Sequence, residues 1–277
     1  MQGARPGTVE DVNETADGLR ETVDRAARYI RVQGAEFDLA RFAALTGGEY
    51  GGPGSEAPAG PLAPPEPQNP DGGWAAPWSQ GASSLDATCF LLDLLSDLDD
   101  ARTTADVSAA LDFIEAAQLP DGTWREGPSD RTPEWLMPGA ANARVYLTAN
   151  CARTLLVRKT GAEAVERAAQ ALEWSLDPHG RLPGPMVAHW LAARVLRETG
   201  RELTARRLLD VVGRVFDQLD STELAWFGSD TVPGDRWTKR IAQRLATSQE
   251  PDGSWTDESG SPSVPLSITA CRVLLRA

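Results

Sequence analysis

Gln118-Leu-Pro-Asp121-Gly122-Thr-Trp124 is the stretch that decides the fold, because it recurs. Gln68-Asn-Pro-Asp71-Gly72-Gly-Trp74 and Gln249-Glu-Pro-Asp252-Gly253-Ser-Trp255 repeat it almost residue for residue. Two degenerate copies fill the gap between the second and third: Leu176-Asp-Pro-His179-Gly180-Arg-Leu182 keeps Pro and Gly, and Gln218-Leu-Asp-Ser-Thr-Glu-Leu224 keeps little but Gln. Repetition at such intervals marks a chain built from stacked units. Each copy follows one helical pattern and precedes another. Thr103 to Ala117, with Val107, Ala110, Leu111 and Ile114, and Asp235 to Ser248, with Trp237, Ile241 and Leu245, read as amphipathic outer helices. Ser84 to Leu95, Ala143 to Val157, Pro185 to Leu196 and Val264 to Leu275 are apolar most of the way round, as buried inner helices are. Thr88, Thr148 and Thr269 sit at like positions in three of them, small residues suited to close packing.

The motif makes sense as a corner between helices. Pro stops the outgoing helix, Asp-Gly supplies the turn, the Gln amide satisfies backbone groups near the next helix start, and Trp covers it. The three near-perfect copies resemble the repeat, or QW motif, of the prenyltransferase and squalene-oxidocyclase family. The resemblance implies an all-α fold, an α/α toroid in which inner and outer helices alternate around a central cavity. It covers residues 67–277 as the toroid domain. Residues 1–66 are expected to form an N-terminal helical segment packed on it, with helices over Val9 to Gln33 and Glu36 to Leu45 and a Gly/Pro-rich loop, flexible or capping the cavity, through Pro67.

Composition narrows the function. A chain of 277 residues, 41% hydrophobic, can bury a large core, and its net charge of −13 argues against a nucleic-acid surface. Cys89, Cys151 and Cys271 are isolated and odd in number, which points to buried thiols rather than disulfides or a zinc site. Residues 2–18 hold no apolar signal core and no stretch approaches a membrane span, so a cytoplasmic location is expected by default. Oligomeric state is not legible.

The family offers several chemistries. Its protein prenyltransferases hold zinc with an Asp-x-Cys pair and a distant His, a pattern missing here. Asp86-Ala-Thr-Cys89 has the wrong spacing, and His179 and His189 have no paired Cys, His189 reading as a core histidine. No metal and no cofactor are expected. Class II terpene cyclases instead protonate an alkene or epoxide with an Asp of an Asp-x-Asp-Asp motif, an acid kept neutral by a dry cavity. The string Asp97-Leu98-Asp99-Asp100 matches by letter, but follows an inner helix and begins the outer one, where it reads as a solvated N-terminal cap. The segment placed as the family's motif is, after a corner at the start of an inner helix, is Ser84-Leu85-Asp86-Ala87-Thr88. Asp86 falls on the family's proton donor, with Ser84 and Ala87 in place of its acidic neighbours; the competing reading is an ordinary helix N-terminal Asp.

Around it, Phe90, Trp135, Tyr146, Trp190, Trp226 and Phe227 lie on or beside inner segments, where they either line a cavity and stabilise a cation or form plain core. Glu134 and Glu223, each beside aromatics, are alternative acids or solvated loop charges. Arg131, Arg144 and Arg153 are candidates for a diphosphate clamp. The leading reading is a terpene-cyclase-like enzyme, an isomerase or lyase of natural-product biosynthesis, that binds an isoprenoid or other apolar chain and cyclises it by acid initiation. A non-catalytic ligand-binding or scaffold module on the same toroid is the rival, and an acid/base enzyme with a non-terpenoid substrate a third.

Overall fold

Each of the three full motifs is a turn leading into an apolar helix in the computed structural model, which describes residues 9–50, 61–98, 101, 103–127 and 131–277, with side chains from 17 onward. The described residues form α1 (Val9–Gln33), α2 (Glu36–Leu45), α3 (Leu85–Leu95), α4 (Val107–Ala116), α5 (Ala141–Val157), α6 (Ala162–Trp174), α7 (Met186–Glu198), α8 (Glu202–Val215), α9 (Ser221–Asp230), α10 (Arg236–Thr247) and α11 (Val264–Leu274). The only strands among them are β1 (Trp74–Ala75) and β2 (Ser83–Ser84), an antiparallel pair that sets Trp74 opposite Ser84.

The helices fall into two compact units, α3 to α8 in one, and α1, α2 and α9 to α11 in the other. In the first, α5 lies between α3 and α7, while α4 packs on α3 and α5, α6 on α5 and α7, and α8 on α7. In the second, α11 packs against α9, α2 and α1, while α10 packs on α9, α11 and α1. Within each unit apolar helices thus pack against amphipathic ones, a helix pairing consistent with that of an α/α toroid. The helices α1 and α2 of the N-terminal segment are part of the same unit as the last three helices. Residues 51–60 of the Gly/Pro-rich loop lie outside the described residues.

The corners explain why the motif repeats. Trp124 is fully buried, and its indole N–H donates at 2.7 Å to the Ile114 carbonyl in the last turn of α4. Trp255 does the same to Leu245 of α10 at 2.9 Å. The Trp124 indole thereby satisfies a carbonyl that the end of α4 leaves without a helical partner, while the Leu245 carbonyl also accepts the Ser248 amide at 3.2 Å. The Gln118 amide donates to Gly122 of its own turn and to Ala164 in the first turn of α6; Gln249 likewise donates to Gly253 and to Thr22 of α1. Gly122 has φ +82° and lies so close to α6 that a Cβ would come within 2.6 Å of the Arg167 carbonyl. Only glycine meets both demands. The corner aspartates accept from the residue two positions on: Asp121 Oδ1 takes the Thr123 amide at 3.1 Å and hydroxyl at 2.6 Å, which holds its carboxyl below the usual carboxylate range.

The structure corrects several expectations. The first outer helix starts at Val107, not Thr103, because Thr103 and Thr104 are held to Leu62 by an isolated bridge and a 2.8 Å bond from the Thr104 amide. Its cap is Asp106, whose carboxylate accepts the Ala109 amide at 2.9 Å. Asp97 therefore does not cap α4; it lies in the turn after α3, and Asp99 and Asp100 lie outside the described residues. The like positions on the apolar helices are Thr88, Thr148 and Ser267, not Thr269, and their role is polar. Their hydroxyls accept the backbone N–H of Trp74, Trp124 and Trp255 at 3.0, 3.2 and 3.3 Å. At the degenerate corner His189 takes that place, its Nε2 accepting the Leu182 amide at 3.3 Å. The segment from Gln218 to Leu224 holds no glycine turn: Asp220 and Glu223 form a reciprocal capping box at the start of α9.

Candidate functional site

The corner at Trp74 aims Asp86. Pairing of β1 with β2 places Ser84 at the N-cap of α3, where its Oγ accepts the Ala87 amide at 3.2 Å, and Asp86 follows in the first turn. On its own, a helix start favours an ionised Asp. The surroundings oppose this. Burial pushes the Asp86 carboxyl up from 3.8 to about 6; the Tyr146 hydrogen bond works against that rise, and the nearby charge of Glu126 adds to it. Desolvation is thus the larger influence, as for an acid in a dry pocket.

The Tyr146 hydroxyl, from α5, donates to Asp86 Oδ1 at 2.7 Å, and the Asn150 amide lies one turn further at 3.4 Å from the same oxygen. Both contacts fall on Oδ1, which leaves Oδ2 to carry a proton. Burial and the adjacent Asp86 charge push the Tyr146 phenol well above its ordinary range, so it stays a donor. Against Tyr146 stands Trp135, edge to face at 5.6 Å, and against Trp135 stands Trp78 at 6.1 Å. Trp135 is 43% exposed, and Phe90, one turn beyond Asp86 on α3, is 47% exposed. Aromatic faces thus stand open beside a half-buried acid.

The sequence did not single out Glu126, Asn150 or Trp78. Glu126 follows the second corner and is buried. Its carboxylate receives the Ser84 hydroxyl at 3.0 Å, the Leu85 amide at 3.1 Å and the Asp86 amide at 3.3 Å. A signal existed in that an acidic residue stands two positions after the corner Trp, but Asp257 holds the like place after Trp255 and is bound only within its own loop, to Ser259 and Ser261.

The other candidates separate. Glu134 is exposed in the short 3-10 turn Glu134–Leu136, next to Trp135, and Arg131 is exposed just before it. Arg144 is bound to the second corner, its guanidinium donating to Thr123 Oγ1 at 2.7 Å and pairing with Asp121. Arg153 pairs with Asp93 of α3 at 2.8 Å and is buried. Trp190 is buried in α7, where it packs as core. Glu223, Trp226 and Phe227 belong to α9 in the other unit. There Glu223 is in the capping box with its carboxyl raised by burial, Phe227 packs on Trp237 at 5.4 Å, and Trp226 is 38% exposed. Cys89 and Cys151 are free and buried, their sulfurs 3.8 Å apart, and Cys271 is buried and free as well. Burial lowers the His189 imidazole's affinity for a proton, and His179 is exposed on its corner. No three His, Cys, Asp or Glu side chains among the described residues converge as a metal site, and no helix among them is long and apolar enough to cross a membrane.

The architecture has known counterparts. No family model matches the chain. Drimenyl diphosphate synthase of Streptomyces showdoensis is 26% identical over 211 residues, which are 75% of this chain and 33% of that protein. The chain therefore spans about a third of the length of the curated relative it matches. Among solved structures, the apo type II terpene cyclase MstE from Scytonema superposes with a TM-score of 0.56 at 14% identity, covering 94% of this chain and 98% of that one. A variant of the same cyclase in complex with geranylgeranyl dihydroxybenzoate, its substrate, gives 0.56 at 13% identity over 95% and 98% of the two chains. The chain shares the all-α fold of the type II terpene cyclases at low sequence identity.

Proposed function

We propose that the protein is a class II terpene-cyclase-like enzyme that takes an isoprenoid or similar apolar chain and starts its cyclisation by protonation from Asp86. The observation that carries this reading is the Asp86 carboxyl, half-buried, raised to about 6 and held by Tyr146 beside the open faces of Trp135 and Phe90. The Asp86 O–H bond breaks as the proton passes to one carbon of a terminal C=C, and the π pair forms the new C–H bond. The neighbouring carbon becomes a cation, which the next double bond attacks to close a ring. Ring faces stabilise such a cation through their quadrupole. Loss of a proton to water ends the sequence, and water reprotonates Asp86. Arg131 and Arg144 are the candidates to meet a diphosphate, Arg131 just before the turn that carries Trp135 and Arg144 at the second corner. The fold of the type II cyclases and the resemblance to a drimenyl diphosphate synthase support this substrate class.

The test is turnover of linear prenyl diphosphates and polyenes across pH. Because the protonated acid is the active form, kcat/KM should rise as pH falls from 8 toward 6, by up to about tenfold per unit, and level off below the Asp86 midpoint. Saturable binding of these ligands with no turnover at any pH would favour the ligand-binding module instead. A flat profile with turnover would remove Asp86 as the initiating acid.

A further inference from the structure

We infer that Glu126 is a positioning residue for Asp86: a buried carboxylate, supplied by the next corner, that occupies the N-terminus of α3 and so keeps that helix from ionising the acid. This rests on the reading of Asp86 as the initiating acid, but it is stated for a group that can be followed without turnover.

The geometry is specific. The first amides of α3 are donors without helical partners, and together they present partial positive charge. A carboxyl in the first turn, as Asp86 is, would ordinarily use that charge to stay ionised. Here Glu126 uses it instead. Its Oε1 takes the Leu85 amide and its Oε2 the Asp86 amide, and Ser84 Oγ donates to Oε2 while accepting from Ala87. The Gly127 amide adds a fourth donor at 3.3 Å on Oε1. All four contacts donate toward Glu126, the partner set of a carboxylate. Anions belong at helix starts, so its place is electrostatically favourable. Two consequences follow for Asp86. The positive end of α3 is already matched by a negative group, and that group's charge repels a second one nearby. Both favour the protonated acid.

Glu126 also explains how the chain manages without acidic residues at 84 and 87. Ser84 and Glu126 together supply, from a segment 42 residues away, one oxygen-rich neighbour for Asp86. Other titratable groups near Asp86 are Tyr146 of α5 and, beyond it, the Cys89 and Cys151 thiols; burial pushes the Tyr146 phenol and the Cys151 thiol well above their ordinary values. Glu126 is the anionic neighbour whose charge acts on Asp86.

The experiment is a carboxyl carbon-13 NMR titration of Asp86 in the full chain, with the resonance assigned by its loss in Asp86→Asn. It is run on the wild type and on Glu126→Gln, which keeps an amide oxygen as acceptor but removes the charge. The Asp86 midpoint should fall in Glu126→Gln by about one pH unit, a tenfold change in its proton affinity. Circular dichroism and the unfolding midpoint identify variants that have lost the fold. If Glu126→Gln is among them, Glu126→Asp, which keeps the charge but shortens the reach, is titrated in its place and should also lower the midpoint. An unchanged or higher midpoint in the folded variant overturns the inference. Where turnover is present, the kcat/KM profile of Glu126→Gln should shift to lower pH by the same amount. A chain that turns over no isoprenoid would defeat the proposed function while leaving the titration result standing.

Discussion

Asp86→Asn is expected to lower turnover by about 10²- to 10⁴-fold, the contribution typical of a positioned proton donor, while leaving the fold intact. The amide is isosteric, and its oxygen can still accept from Tyr146, so the packing around α3 has no reason to change. Stability should move the other way. The folded carboxyl sits near 6 against 3.8 when unperturbed. A group raised on folding contributes stability that is complete below its unfolded value and is lost as pH rises through its folded one. At pH 8 the wild type therefore carries a penalty that the Asn variant lacks, up to about 3 kcal/mol. Urea unfolding at pH 5 and pH 8 samples about half of it, roughly 1.4 kcal/mol, because the unfolded carboxyl is already ionised at pH 5: the variant should gain on the wild type at the higher pH. Asp97→Asn provides the contrast, because Asp97 lies 11 residues along, past the last turn of α3, about 16 Å from Asp86 at the helical rise. It should leave turnover in place. Full activity in Asp86→Asn would transfer the role to another acid, Glu134 or Glu223.

Trp124→Ala should destabilise the protein by about 3–5 kcal/mol, through the void left by a fully buried indole. It also strands the Ile114 carbonyl, which the indole satisfies at 2.7 Å. In a chain of this size the melting midpoint should drop by roughly 6–20 °C. Calorimetry checks it, and an unchanged midpoint would mean that the corner does not hold α4 to α5. The consequence reaches the site indirectly, since Glu126 stands two residues beyond Trp124.

The corners were legible in the sequence because they are local. Pro, Asp, Gly and Trp each act within a few residues, so the turn, the stop and the buried indole follow from composition alone. What lies across the corner was not. The acceptors for Trp74, Trp124 and Trp255 stand 14, 24 and 12 residues further on, and that for Leu182 only 7. Loop length varies freely while the contact is kept, so counting from the motif put Thr269 where Ser267 belongs. Asp86 could be picked out because it lies at a fixed offset within one helix. Its partners Tyr146 and Glu126 come from elements that only tertiary packing brings to it; Tyr146 was legible as an aromatic, but not as the donor on Oδ1. The Asp97 string shows the reverse error, letters without placement, and even its expected capping role falls to Asp106 once Leu62 holds the preceding residues extended.

The central claim is that a proton from the protein begins the reaction at carbon. It is tested most directly by running turnover of a linear isoprenoid in deuterium oxide and locating the label in the product. The Asp86 carboxyl exchanges with solvent, so the cyclised product should carry one deuterium on the former terminal alkene carbon, with a lower rate than in water and with labelled product from Asp86→Asn formed about 10²- to 10⁴-fold more slowly. A cyclised product free of deuterium at that carbon, or labelled product formed equally fast by the Asn variant, would contradict the account.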